Sequence, residues 1–108
     1  MSAGERSALW SPDAVSDLDR LWDYLASAAG PATADRVLRD VQHVVMTLAE
    51  FPQAGRSRNE LRPGLRSLPV GAHIVFYRIV EGRPQIIRVI DGRQDIAVIF
   101  ADEDPSAN

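Results

Sequence analysis

The sequence predicts an α+β domain in the order β-α-α-β-β-β, with an antiparallel sheet packed against a helical hairpin. Three observations carry this. Apolar residues recur at helical spacing through the first fifty residues, a Gly-Pro pair at Gly30-Pro31 splits that stretch in two, and after Gly55 the apolar period shortens to two. A chain of 108 residues supports one modest core, so residues 1–100 are expected to form a single domain and the acidic tail, 101–108, to be disordered.

The elements follow in order. Residues 6–10, RSALW, are expected to form a short strand. Ser11-Pro12-Asp13 then starts a helix, with serine as N-cap, proline at the first turn and an acid near the positive end of the helix dipole. Ala14, Leu18, Leu21 and Leu25 repeat along it with Trp22 beside them, and Trp22, Tyr24 and Leu25 are expected in the hairpin core. A second helix is predicted from about Ala32 to Glu50, with Ala34, Val37, Leu38, Val41, Val44, Val45 and Leu48 in one stripe, ended by Phe51-Pro52. So short a link makes the two helices antiparallel.

Leu65–Val70, His73–Val80 and Gln85–Asp91 are expected as three strands, joined by Gly71-Ala72 and by Glu81-Gly82-Arg83. The second and third are apolar at both parities (Ile74, Val75, Phe76, Tyr77; Ile86, Ile87, Val89, Ile90), so both faces of the sheet must be covered. The helical hairpin covers one. The other falls to the C-terminal segment, to a second chain, or stays open as a partner site. Which face carries Arg78 and Arg88 depends on the length of the link between their strands, because a one-residue slip inverts the faces.

Composition excludes several classes. With 45% hydrophobic and 25% charged residues the chain is an ordinary globular one. No cysteine is present, and the two histidines, His43 and His73, fall on different predicted elements, so neither a disulfide framework nor a zinc site is expected. The first residues lack a basic-then-apolar leader pattern and no apolar run approaches a membrane span, which makes cytoplasmic the expected location. No cofactor is implied. Asp13, Asp17 and Asp23 of the first helix are expected on its solvated face.

Charge is unevenly spread. Residues 1–55 hold four arginines against eight acids, while residues 56–95 hold eight arginines against four acids. Four of those eight, Arg56, Arg58, Arg62 and Arg66, fall within GRSRNELRPGLRSL, and every cation in the chain is arginine. Such a run commonly forms a solvated loop of weak ion pairs; it also suits an acidic partner or a phosphate backbone.

Five words in order carry a family resemblance: Trp10-Ser11-Pro12; A-x-x-D-L-x-x-L-W-x-Y from Ala14 to Tyr24; L-A-x-x-P-x-x-G-R-x-R-x-E-L-R-P-G-L-R-S from Leu48 to Ser67; G-x-H-x-V-F-Y-R from Gly71 to Arg78; and R-V-I-D-G-R-Q-D from Arg88 to Asp95. Over about residues 9–96 the chain resembles the ParE branch of the RelE/ParE toxins. The resemblance implies a toxin of a type II toxin–antitoxin pair, neutralised by a small ParD-like antitoxin and acting on DNA gyrase without catalysis. The sister RelE branch cuts mRNA on the ribosome. Where that branch keeps a strand arginine, a later arginine and a C-terminal tyrosine, this chain has Ile74, Gln94 and Phe100, and it has no lysine, so the ribonuclease chemistry lacks its heads. Asp91 and Gln94 stand where many relatives have histidine and arginine, making the last strand less basic than usual. A degenerate toxin that survives only as an antitoxin-binding module is the further alternative. Under the resemblance, Arg56, Arg58 and Arg62, with Leu18 and Trp22, are the expected antitoxin contacts. Arg66, Arg78, Arg88 and Arg93 are the expected target-facing surface. Tyr77 is expected to be a core aromatic with a bonded hydroxyl, and His73 a packing residue.

Overall fold

The computed structural model describes residues 7–103. In chain order these are β1 (Leu9–Trp10), α1 (Pro12–Ala29), α2 (Pro31–Glu50), a single 3-10 turn (Pro52–Ala54), β2 (Arg56–Ser57), β3 (Arg66–Val70), β4 (His73–Val80), β5 (Arg83–Asp91) and α3 (Ile96–Glu103). They form one five-stranded sheet in the order β1-β5-β4-β3-β2. The predicted N-terminal strand is present only as Leu9–Trp10, and residue 6 lies outside the described residues. The boundary expected at residue 100 falls inside α3.

Local chemistry sets the hairpin. The Ser11 hydroxyl accepts from the Ala14 amide at 3.0 Å, closing the first turn of α1, and donates to the Ile87 carbonyl at 2.8 Å. One side chain therefore both starts the helix and ties it to β5. Gly30, at a φ of 98°, ends α1 in a conformation that costs a side chain dearly, and Pro31 opens α2 with its fixed φ.

The sheet is antiparallel from β2 to β5, as expected, but β1 joins its far edge in parallel, Leu9 beside Gln85 and Trp10 beside Ile86. Antiparallel neighbours suit tight turns; β1 and β5 are separated by the whole hairpin and three further strands, and they pair in the same direction. The β4–β5 link is the two residues Glu81-Gly82, both at positive φ, so β5 starts at Arg83 rather than Gln85.

A bulge decides the faces. Phe76 pairs with Arg88 and Tyr77 with Ile86, which leaves Ile87 as an extra residue. Ile86 and Val89, three apart, therefore both join the core beneath the hairpin, with Ala14, Val41, Val45, Leu48, Val75 and Tyr77. Ile90 instead joins Phe76, Leu65 and Phe100 in a second core on the opposite face. That face is covered by α3: the Phe76 and Phe100 rings meet edge to face with centroids 4.7 Å apart. Of the three covers open to this face, the C-terminal segment is the one used.

Tyr77 is wholly buried, and its hydroxyl donates to the Pro52 carbonyl at 2.5 Å while accepting from the Gly55 amide at 2.9 Å. It thus fixes the chain where helix gives way to strand. Residue 55 must be glycine because a Cβ there would lie 2.6 Å from the Tyr77 ring and 2.7 Å from the Ser67 carbonyl.

Candidate functional site

The arginine-rich loop proves to be built into the second core. The Arg58 guanidinium lies over the Phe76 ring at 5.4 Å and Arg62 over the Phe100 ring at 5.2 Å, so two cations flank the aromatic pair. Arg58 also donates to Glu60 at 2.8 Å and to the Ser67 hydroxyl at 3.2 Å, and Arg62 donates to the Phe100 carbonyl at 3.3 Å. That last bond sets a cation on a carbonyl of α3, where the helix dipole favours one. The Glu60 carboxyl is held below its ordinary range by the Arg58 hydrogen bond. Arg66 donates to the Gln53 and Gly55 carbonyls at 3.2 and 2.7 Å. Arg56 alone of the four is exposed.

The expected antitoxin contacts on α1 are half-buried. Leu18 packs against the main core, and the Trp22 indole donates to Asp35 of α2 at 2.9 Å, so it bridges the two helices. Tyr24, expected in the core, is 65% exposed and stands seven residues beyond Asp17 on α1.

The four expected target-facing arginines do not gather at one place. Arg66 is tied to the turn after α2. Arg78 is exposed near the Glu81-Gly82 turn and donates to Gln85 at 2.7 Å. Arg88 and Arg93 lie toward the other end of β5, where both line a groove of about 800 Å³ between α1 and β5. Asp17, Arg20, Leu21, Tyr24 and Leu25 of α1 form one wall of that groove, and His73, Val89, Ile90 and Asp91 contribute to the other.

Asp17 corrects its expected place on a solvated face. It is only 8% exposed and takes three bonds: from Arg88 Nε at 2.7 Å, from Arg88 Nη2 at 2.9 Å, and from the Val89 amide at 2.9 Å. β1 ends at Trp10, so β5 loses its neighbour there, and a carboxylate from α1 satisfies the exposed edge amide in its place. The bidentate bond to Asp17 raises the Arg88 pKa further, against the opposing effect of burial. At the groove's end Arg93 folds back on Asp91, with bonds of 3.1 and 2.8 Å, while remaining 83% exposed. The Arg93 guanidinium, followed by its amide, holds the Asp91 carboxyl well below the usual aspartate range.

The groove went unseen in the sequence. Asp17, Arg20, Tyr24 and His73 belong to two sequence words, and the signal that could have joined the first three is their i, i+3, i+7 spacing, which puts them on one helical stripe. Among the described residues no group of three or more acidic, histidine or cysteine side chains could hold a metal ion.

The family model of the ParE toxin of type II toxin–antitoxin systems matches residues 8–96. Toxin ParE1 of Mycobacterium tuberculosis is 38% identical over 89 residues, which are 82% of this chain and 91% of that protein. Toxin ParE3 of Caulobacter vibrioides is 37% identical over 81 residues, covering 75% of this chain and 81% of the relative. A solved chromosomal ParDE toxin–antitoxin system from P. aeruginosa superposes with a TM-score of 0.69 at 26% identity, over 79% of this chain and 94% of that one. A mixed domain of helical hairpin and five-stranded sheet, with the five words in place, thus defines the class of small toxins seen in such pairs. The chain belongs to the ParE toxin family of type II toxin–antitoxin systems.

Proposed function

We propose that this toxin is held inactive by a ParD-like antitoxin and, once released, poisons DNA gyrase in the cytoplasm as a binding protein, without catalysing a reaction. One observation carries the non-catalytic part. The three positions at which the ribonuclease branch keeps its charge-stabilising and proton-transferring heads hold Ile74, Gln94 and Phe100. Phe100 is 1% exposed and sits at the centre of the second core, and Ile74 packs against that core. Phe100 is enclosed there, and neither side chain has a charge to offer or a proton to exchange. The antitoxin part is supported by the likeness to the solved ParDE toxin–antitoxin system from P. aeruginosa, and by the family itself.

The excess of arginine between residues 56 and 95 supports a target that is acidic or bound to DNA. Arg56, Arg78 and Arg93 present that charge to solvent, whereas Arg58, Arg62, Arg66 and Arg88 hold the fold that carries them.

Two experiments, one in cells and one in an extract, test the proposal. Expression without antitoxin is expected to give filamentous cells with induced DNA-damage signalling. The purified toxin in a translating extract is expected to leave mRNA intact. Codon-specific cleavage would instead make this chain a ribosome-dependent nuclease, and growth unaffected by either route would leave it a non-toxic antitoxin-binding module.

A further inference from the structure

The outer edge of β5 is unfinished. Val89 turns its amide outward to Asp17 and Gly92 turns its amide inward to the Ala72 carbonyl, so by strand alternation residues 89 and 91 both point their main-chain groups away from β4. The Ile86 and Ile87 carbonyls are taken by the Ser11 amide and hydroxyl, the Val89 amide by Asp17, and the Asp91 carbonyl by the Gln94 amide. Among the described residues, two groups remain on this edge, the Val89 carbonyl and the Asp91 amide. An acceptor followed two residues on by a donor is the pattern that a single residue of a parallel neighbour satisfies, in the direction in which β1 already runs.

The groove beside this edge has the matching lining. Leu21 and Leu25 supply apolar surface, and Tyr24 extends it. Arg20, 73% exposed and only loosely paired with Asp17 at 3.7 Å, and Arg93 stand at its rim. These two exposed guanidinium groups give the rim a positive character.

We propose that the antitoxin anchors one extended acidic-apolar segment in this groove. Its main chain continues the sheet at the Val89 carbonyl and the Asp91 amide, an apolar side chain lies on Leu21 and Leu25 beside Tyr24, and a carboxylate faces Arg20 and Arg93. This rests on the antitoxin reading above and adds where the segment binds and what chemistry it carries. It also moves the contact away from Arg58 and Arg62, whose guanidinium groups are occupied by the second core. The recognition mode is strand addition, in which main-chain bonds give affinity and flanking side chains give selectivity.

The test titrates the purified product of the small reading frame beside this chain's gene into the full-length toxin by calorimetry. Arg20→Glu and Tyr24→Ala alter exposed side chains and are expected to leave the melting temperature unchanged. Each should weaken binding by about tenfold or more, the loss expected of a well-used interface contact. Arg36→Glu and Arg39→Glu, on the exposed side of α2, should bind like the unaltered toxin. Hydrogen exchange at the Asp91 amide should slow in the complex. Unchanged affinity in both groove variants, or an Asp91 amide that exchanges as fast as before, overturns the groove assignment while leaving the antitoxin reading in place. Groove variants that bind the antitoxin normally yet no longer inhibit gyrase would make this a target-binding groove and overturn the assignment too. Failure of the unaltered toxin to bind overturns both.

Discussion

Asp17 spends one carboxylate on three donors, and the cost of losing it is correspondingly large. Asp17→Asn removes the carboxylate charge from the Arg88 guanidinium, whose side chain is 14% exposed, and offers one acceptor where two were used. We expect a loss of about 2–4 kcal/mol in urea unfolding, toward the lower end of the range for breaking a buried pair because Arg88 still reaches water. A change under about 0.5 kcal/mol would mean the pair is as weak as a surface one. Asp91 makes a different prediction. Its pKa is depressed in the folded chain, so the Arg93 bond contributes fully above the unfolded aspartate value and is lost only as pH falls through the lower, folded one. An NMR titration should show the Asp91 midpoint moving up toward the ordinary range in Arg93→Ala. Coincident midpoints would remove Arg93 as the cause. The role of Asp17 was not legible in the chain itself: an aspartate on a helix looks solvated, and its partner lies 71 residues away, with nothing in the local pattern to join them.

At the scale of elements, punctuation made the hairpin and the three long strands readable. Ser11-Pro12, Gly30-Pro31, Gly71 and Gly82 each mark an end whose conformation the residue type dictates. The bulge at Ile87 could not be read, because Gln85 to Ile90 is apolar at both parities and no alternation exists to be broken. α3 was hidden for a related reason. Ile96, Val98 and Ile99 are β-branched, which lowers helix propensity, and what holds the helix is tertiary: Phe100 on Phe76, and Arg62 on both the Phe100 ring and its carbonyl. Arg62→Ala should therefore loosen α3 before the rest of the fold. Amides 97–103 are expected to exchange faster while those of β4 and β5 keep most of their protection, and equal acceleration throughout would contradict a local role. Phe100→Ala should cost about 3–5 kcal/mol by opening a cavity between sheet and helix.

For the whole molecule, the division of labour among arginines is the main consequence. Five of the eight between residues 56 and 95 hold aromatic rings, carbonyls or a buried carboxylate, so the basic half is partly an internal scaffold rather than a uniform charged surface. What remains outward is shape and a few cations, which suits a protein that acts by occupying a surface. The most direct measurement is therefore a supercoiling assay with purified gyrase, relaxed plasmid and this toxin. The account predicts inhibition with linear DNA accumulating, reversed when the antitoxin is added first. Normal supercoiling with the toxin in large molar excess, and no cut DNA, would contradict it.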